Sequence, residues 1–457
     1  MANQSLSESA ASRSWVSILL SAVVGVTLVW AVLSRSLAEY LAEAAPEWAV
    51  VLAPTNSTAL LNLADAKLGI KADARNAASN DGRPRTAAGL AAFNSIKSRG
   101  IPVPMTDPEV TPGVRMEVRR LAEAALASDP LSARAFRILG QVADTPAQQR
   151  AYMEKAALRS KHEVHAVYWL MQTAFLDDDL SKTTQYIDIL LRSQPQLMPA
   201  IVPILARLAE SERGLEPAKA LLRSDPPWRN SFFSSLMHTV TDARTPLVLM
   251  LDLQTHGRDP SHDELKYYLA FLMEQKYYEL AYYTWTQFLP PESLQEVGLL
   301  FNSSFALRLS GLPFDWTLMR DQGARVDIVD RADKPEVRAL AIEYLGVSAG
   351  EAGARQIVTL APGKYRLSGA AQGDVRARRG VRWRVACLGA VTTYLGESEA
   401  FTGSAPNWKT FQFDFVVPPQ NCPAQQVWVA LDARTDSERL ASGNILFSEL
   451  KLATAGK

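Results

Sequence analysis

Five stretches of this chain begin at nearly regular intervals and share one pattern of small and apolar residues. They begin at Pro130, Lys161, Pro195, Pro226 and Pro260, in steps of 31, 34, 31 and 34 residues. Small or apolar residues follow at the fifth, sixth, ninth and tenth positions, although the match is looser after Pro226 and Pro260. In the first stretch these are Ala135, Phe136, Leu139 and Gly140. Such a period, with a proline ahead of four of the five helices, is typical of stacked helix pairs.

The helix-pair interpretation gives each position a physical role. Proline fixes φ for the first helical turn and ends the preceding helix. The small residue at the fifth position lets two helices approach, and the sixth and ninth positions fill the seam between them. The stretch LAEAALASDPLSARAFRILG, residues 121–140, is similar to the tetratricopeptide (TPR) repeat family. This resemblance implies a TPR-like α-helical solenoid over residues 36–297 that binds a protein partner.

A further copy of the pattern begins at Pro54, with Ala59, Leu60, Leu63 and Ala64. Its distance to Pro130, 76 residues, is long for two repeats. The polar segment ADARNAASNDGRPRTAAG, residues 72–89, accounts for the excess. We expect a flexible insertion at about residues 70–112, because such a segment buries too little apolar surface to order itself.

The segment WVSILLSAVVGVTLVWAVL, residues 15–33, contains 19 residues without a charge. At ~1.5 Å per residue a helix of this length crosses a bilayer core. A cleaved signal peptide is the alternative, but its apolar region is usually only about 7–15 residues long. We therefore expect a single-pass anchor in a bacterial inner membrane.

The orientation of this anchor depends on two arguments. Arg13 and Arg35 flank the segment almost equally, and the N-terminal amine favours a cytoplasmic side for residues 1–14. Cys387 and Cys422, 35 positions apart, can form a disulfide only in an oxidising compartment, the alternative being two free buried thiols. Both arguments favour a periplasmic location for the bulk of the chain.

Residues 298–457 change from a helical period to two-fold alternation. In VRWRVAC, residues 381–387, Val381, Trp383 and Val385 share one face and Arg382 and Arg384 the other. FQFDFVV (411–417) and QVWVAL (426–431) alternate similarly, and at least six such strands occur. No helical pattern separates them, so we expect an antiparallel β-sandwich of the jelly-roll kind.

The stretch LFNSSFALRLSGLPFDWTL, residues 300–318, resembles the Asn-x-x-Phe opening of jelly-roll modules of the carbohydrate-binding kind. The segments NWKTFQFDF and GNILFSELKL add to the resemblance, whereas Ser303 and Ser304 stand where the family often has glycines. The resemblance implies a glycan ligand but does not locate the aromatic residues that would stack on it.

Alternation along single strands suggests candidate ligand-binding residues. Trp428 is out of phase with its apolar neighbours, so it can stack on a sugar, or else pack under a loop or against the helices. Four other side chains also face away from the inferred core and can hydrogen-bond hydroxyls or simply face water: Arg382, Arg384, Gln412 and Asp414.

The remaining features exclude several function classes. Lys plus Arg equals Asp plus Glu, 48 each, which argues against nucleic-acid binding. No known catalytic, phosphate-binding or dinucleotide-binding motif occurs, so we expect no enzyme and no cofactor. His162 and His165 lack a third ligand at a known metal-binding spacing, so we expect no metal. A helical stripe is formed by Tyr278, Tyr282 and Trp285, and it indicates core packing rather than a peptide-binding groove.

These features together suggest a membrane-anchored envelope scaffold. The helical repeats would bind a protein and the sandwich a polysaccharide or another protein, in connection with exopolysaccharide synthesis or export. The alternatives are a structural assembly factor without a glycan ligand, and an envelope enzyme with an unrecognised site.

The predicted topology can be tested with reporter fusions. A phosphatase that is active only outside the cytoplasm should be active when fused after Lys457, because residues 36–457 are expected outside. A reporter that works only in the cytoplasm should be inactive at the same position. The opposite pair of results would contradict this topology.

Overall fold

The computed structural model of the protein describes residues 5–69, 110–388 and 393–455, with side chains from residue 21 onward. The chain forms two compact units, Met1–Asp259 and Pro260–Lys457. Apart from residues 110–112, the predicted flexible insertion lies outside the described residues. The predicted fold class is confirmed, with an N-terminal apolar helix, a series of helices and a C-terminal β-sandwich.

The described part of the first unit contains twelve α-helices. They are α1 (Ser5–Ala44), α2 (Pro46–Leu52), α3 (Ser57–Lys67), α4 (Pro112–Ser128), α5 (Ala133–Gln141), α6 (Pro146–Arg159), α7 (Val164–Leu176), α8 (Leu180–Ser193), α9 (Met198–Glu210), α10 (Glu212–Arg223), α11 (Arg229–Leu236) and α12 (Thr245–Thr255).

Helix α1 is a single uninterrupted helix of 40 residues. Its part Ser21–Ala44 is long and apolar enough to cross a membrane, a property that a signal sequence shares. Near its end Ala38 and Ala42 are buried, where α1 contacts α2 and α3. The side-chain amide of Asn62 on α3 donates a 2.6 Å hydrogen bond to the carbonyl of Ala42. The C-terminal part of α1 is therefore part of the helical array.

The repeated sequence pattern marks the first helix of successive pairs. Helices α3, α5, α7, α9 and α11 each begin three residues after the residue that opens the pattern. The ninth position is buried at Leu139, which is 3% exposed, and at Leu170 and Ile204. At Gly140 an added Cβ would lie 3.0 Å from Met153 on α6, so the small residue allows α5 and α6 to approach closely. The helical array is present, and its assignment to the TPR family stays a prediction.

A buried charge cluster connects three helix pairs. The Asp65 carboxylate on α3 accepts hydrogen bonds from Arg134 and Arg137 on α5, and Arg137 also lies 3.4 Å from Glu163 ahead of α7. Burial alone would raise the pKa of Asp65, but Arg137 and Arg134 outweigh burial and hold that pKa below its usual value. Asp65 and Arg137 are both buried, so loss of Asp65 would leave Arg137 with only the more distant Glu163, and loss of Arg137 would leave Asp65 with only Arg134.

The second unit begins with two helices, α13 (His262–Glu274) and α14 (Tyr278–Gln287). On α14 the Trp285 ring is 1% exposed and lies 4.8 Å from the Phe301 ring and 5.6 Å from the Phe314 ring, centroid to centroid. The aromatic stripe on α14 therefore packs into the core, as predicted. The predicted boundary at residue 298 separates helices from strands, whereas the compact unit begins at Pro260.

Ten strands form two antiparallel five-stranded sheets among the described residues. Sheet 1 has the order β1-β4-β9-β6-β7 and sheet 2 the order β2-β3-β10-β5-β8. The strands are β1 (Thr317–Met319), β2 (Ala324–Asp330), β3 (Arg338–Ser348), β4 (Gly353–Val358), β5 (Gly363–Ala377), β6 (Val381–Leu388), β7 (Thr393–Glu397), β8 (Gly403–Val417), β9 (Ala424–Leu431) and β10 (Leu440–Thr454).

Aromatic contacts link the two sheets through the sandwich core. Trp383 of sheet 1 is fully buried, with its ring centroid 5.5 Å from that of Phe447 in sheet 2 and 5.9 Å from that of Trp316. The Trp316 indole nitrogen donates to the carbonyl of Asn302 at 3.0 Å. The side chain of Asn302 in turn bonds both backbone groups of Leu307 and closes the loop before β1.

The predicted disulfide joins Cys387 at the end of β6 to Cys422, just before β9. The two Cα atoms lie 5.0 Å apart. Both residues are buried, so the bond anchors the loop that leads into β9.

Replacing Leu139 by Asp should unfold part of the helical array at a lower temperature than in the wild type. Leu139 is 3% exposed, and burying an unpaired carboxylate costs several kcal/mol against a typical total stability of ~5–15 kcal/mol. Leu131→Asp is the matched control, because Leu131 is 63% exposed. Circular dichroism melts measure both. Equal melting of Leu139→Asp and wild type would contradict the helix register.

Candidate functional site

Trp428 lies on the outer face of sheet 1. Its neighbours along β9, Val427 and Val429, are fully buried in the sandwich core, and alternation therefore places Trp428 on the opposite face, where it is half-buried. Across the sheet Trp428 is in register with Arg355 on β4 and with Arg384 on β6. An aromatic ring thus lies between two arginines at the middle of the sheet.

Tyr394 on β7 is the second aromatic residue of this face. Its side chain is 66% exposed, and its ring centroid lies 5.8 Å from that of Trp428, with the two rings inclined at 49°. Ala386 pairs with Tyr394 across the sheet and is only 1% exposed although it faces outward. Outward-facing side chains therefore cover Ala386. We call Arg355, Arg384, Tyr394 and Trp428 the aromatic–arginine face.

Arg384 is held by two carboxylates. Its Nη2 lies 2.6 Å from Asp432 and its Nε donates to Glu397 at 3.2 Å. Arg382 is bound in the same cluster, 3.4 Å from Asp432 and 3.5 Å from Glu397, and Arg379 donates to Asp432 at 3.0 Å. Most of the charge on Arg382 and Arg384 is therefore compensated within the protein.

The arginines determine the ionisation of Asp432. Burial alone would raise the pKa of the Asp432 carboxyl, but the hydrogen bonds and positive charges of Arg384 and Arg379 outweigh burial. They hold that pKa below its usual value of 3.8, so Asp432 is ionised at neutral pH.

Gln412 and Asp414 do not lie on the aromatic–arginine face. Both are exposed on β8, which belongs to sheet 2. Asp414 accepts two hydrogen bonds from Arg366 on the neighbouring strand β5, at 2.6 and 2.9 Å. The structure thus brings Trp428, Arg382 and Arg384 together and separates them from Gln412 and Asp414. A ligand-binding role for any of the five stays a prediction.

Two features were missed in the sequence. Tyr394 was not predicted as a binding residue, and the structure places it on the short strand β7 beside Trp428. A second aromatic–arginine contact was also not predicted. In this contact the Arg331 guanidinium lies 3.9 Å from the centroid of the Trp408 ring. Arg331 also donates to Asp333 and Glu449, and its hydrogen bonds lower the pKa of Asp333 to about 2. This second cluster ties the β2–β3 loop to β8 and β10.

Metal-binding groups do not converge in the part of the chain that the structure describes, where no cluster of three His, Cys, Asp or Glu side chains has suitable geometry. His162 and His165 are both exposed where α7 begins. His165 has Glu163 at 4.0 Å as its nearest acidic group.

The stability contributed by Asp432 should depend on pH. Because its folded pKa is lowered, this contribution is present above pH ~3.8 and is lost as the pH falls through the folded value. Asp432→Asn should therefore reduce the free energy of unfolding at pH 7, and the difference from wild type should shrink below pH ~4. The control is Asp436→Asn, whose side chain is 95% exposed. Denaturant titrations from pH 7 to pH 3 measure this difference, and a difference that is independent of pH would contradict the assignment.

Comparison with known proteins gives structural matches only. No protein-family model matches the sequence, and no curated protein matches it. One similar solved structure, titled "CBM4 structure and function", has 16% identity and a TM-score of 0.27 over 34% of this chain and 99% of the other. A putative sugar binding protein from Bacteroides thetaiotaomicron has 12% identity and a TM-score of 0.27 over 35% of this chain and 100% of the other. TmCBM61 in complex with β-1,4-galactotriose has 17% identity and a TM-score of 0.24 over 35% and 99%.

Proposed function

We propose that this protein is a membrane-anchored scaffold of the bacterial envelope whose β-sandwich binds a glycan on the aromatic–arginine face. The observation that carries the proposal is the outward-facing pair Trp428 and Tyr394, with ring centroids 5.8 Å apart. Aromatic rings on a solvent-facing sheet offer a large apolar surface next to polar groups. The C–H groups on one face of a pyranose ring fit such a surface.

Polar groups beside the two rings support this proposal. Arg384 lies directly across from Trp428, and Gln426 is two residues along the same strand and half-buried. Their N–H groups can donate hydrogen bonds to sugar hydroxyls, which fixes the orientation of a stacked ring. Since Arg384 is held by Asp432 and Glu397, it is preorganised and loses little freedom when a ligand binds.

The envelope location rests on two features. The apolar part of α1 is long enough to cross a bilayer, and the disulfide between Cys387 and Cys422 is of a kind that persists in oxidising compartments. Together they support an inner-membrane anchor with residues 36–457 in the periplasm.

The helical array is proposed to bind a protein partner. Stacked helix pairs form extended surfaces that are suited to holding another chain. A glycan-binding sandwich in the same polypeptide would bring that partner to a polysaccharide, which suits a role in exopolysaccharide synthesis or export. No catalytic motif occurs in the sequence, so the proposed role is binding rather than catalysis.

One observation favours a second candidate, a structural assembly factor without a glycan ligand. Arg382 and Arg384 are both bound to Asp432 and Glu397, so the polar side of the face already has internal partners. Such a network also stabilises a sheet that binds nothing.

A panel of immobilised glycans distinguishes the two candidates. Wild-type protein should bind at least one glycan, and Trp428→Ala should weaken that binding roughly tenfold or more, because the lost aromatic contact contributes about 1.5–3 kcal/mol. Tyr394→Ala should weaken it in the same direction. Val416→Ala, which truncates an exposed apolar side chain on β8 of the other sheet, is the control and should bind like wild type. Absence of binding across the panel would favour the structural assembly factor.

A further inference from the structure

Arg355 differs from the other arginines around Trp428. It is exposed, and within the described residues no carboxylate lies at ion-pair distance from it. Its partners across the sheet, Thr317 and Trp428, are both uncharged. Arg384, on the opposite side of Trp428, is 13% exposed and bound to two carboxylates. The aromatic–arginine face therefore has one compensated side and one side with an uncompensated positive charge.

We infer that the ligand of this face is an acidic glycan, in which a sugar ring stacks on Trp428 and its carboxylate binds Arg355. The inference rests on the proposed glycan-binding function and specifies its substrate class. A hexuronic acid unit has the required chemistry, because its carboxylate is attached directly to the ring that stacks.

The strand register places Arg355 within reach of such a carboxylate. Residues directly opposite one another in an antiparallel pair have Cβ atoms about 4.5–5.5 Å apart. Arg355 and Trp428 are opposite one another on β4 and β9 and face the same side of sheet 1. The long arginine side chain can therefore extend to the rim of a ring stacked on Trp428.

The chemistry of arginine favours a carboxylate over a hydroxyl as its partner. The planar guanidinium presents two parallel N–H donors that match the two oxygens of a carboxylate. Such bonds are about twice as strong as neutral ones, whereas a neutral hydroxyl leaves the positive charge without a counter-charge. Among the described residues no acidic side chain neutralises Arg355, and a bound anionic ligand would supply that counter-charge.

The arrangement also predicts which arginine discriminates between acidic and neutral sugars. Arg384 already shares its charge with Asp432 and Glu397, so it attracts an anion weakly. Arg355 should therefore account for the preference for acidic polymers, while Trp428 contributes to the binding of acidic and neutral sugars alike.

The test compares acidic polysaccharides with their neutral counterparts, using the full-length protein in detergent. Polygalacturonate, alginate and hyaluronate are the acidic probes, and each is paired with the same polymer after chemical reduction of its carboxyl groups. Wild-type protein should bind at least one acidic polymer more tightly than its reduced form. Arg355→Gln should lower that affinity roughly tenfold and should lower the affinity for the reduced polymer much less.

The matched control is Arg325→Gln, which removes the same charge from an exposed arginine on β2 of sheet 2. This variant should bind like wild type. That result would show that the loss in Arg355→Gln comes from a local contact with the ligand and not from the lower net positive charge of the protein. Equal loss in both variants, equal affinity of wild type for each acidic polymer and its reduced form, or binding of neutral glycans alone would overturn the inference. Failure to bind any glycan, acidic or neutral, would instead refute the proposed function itself.

Discussion

The burial of Val427, Val429 and Leu431 in the sandwich core fixes the register of β9, the middle strand of sheet 1. Because side chains alternate along a strand, a shift of one residue would move Trp428 into the core and these aliphatic side chains into water. Strands β4 and β6 pair with β9 on its two sides, so their positions also follow from this register. The arrangement of the outer face is therefore determined by packing on the inner face.

Alternation is a property of a single strand, which is why the burial of Trp383 and the outward direction of Trp428 could be predicted from the sequence. Strand neighbours are a property of the whole fold. Gln412 and Asp414 were grouped with Trp428 because all three were expected to face outward, but β8 lies in the other sheet. Tyr394 was missed because β7 has only five residues and its register against β6 shifts at Ala386.

In the helical array too, features set by neighbouring residues could be predicted from the sequence, whereas contacts between distant residues could not. Prolines and small residues act within one or two turns, so the first helix of each pair could be located from the sequence. The ion pair between Asp65 and Arg137 joins residues 72 positions apart and has no local signal. Helix α13 follows the same repeat spacing yet belongs to the compact unit with the strands. The repeat period thus predicts where helices begin, but not which domain contains them.

Because α1 is continuous, its apolar part and the helical array have a fixed orientation relative to each other. No loop or break separates the apolar part of this helix from the turns where Ala38 and Ala42 are buried against α2 and α3. If another molecule binds the apolar part of α1 in one orientation, the array is therefore also held in one orientation about the helix axis. One residue more or less between the two parts would turn the array by about 100° and displace it by about 1.5 Å. The number of residues between the two parts of α1 therefore determines which side of the array faces a given direction relative to the apolar part.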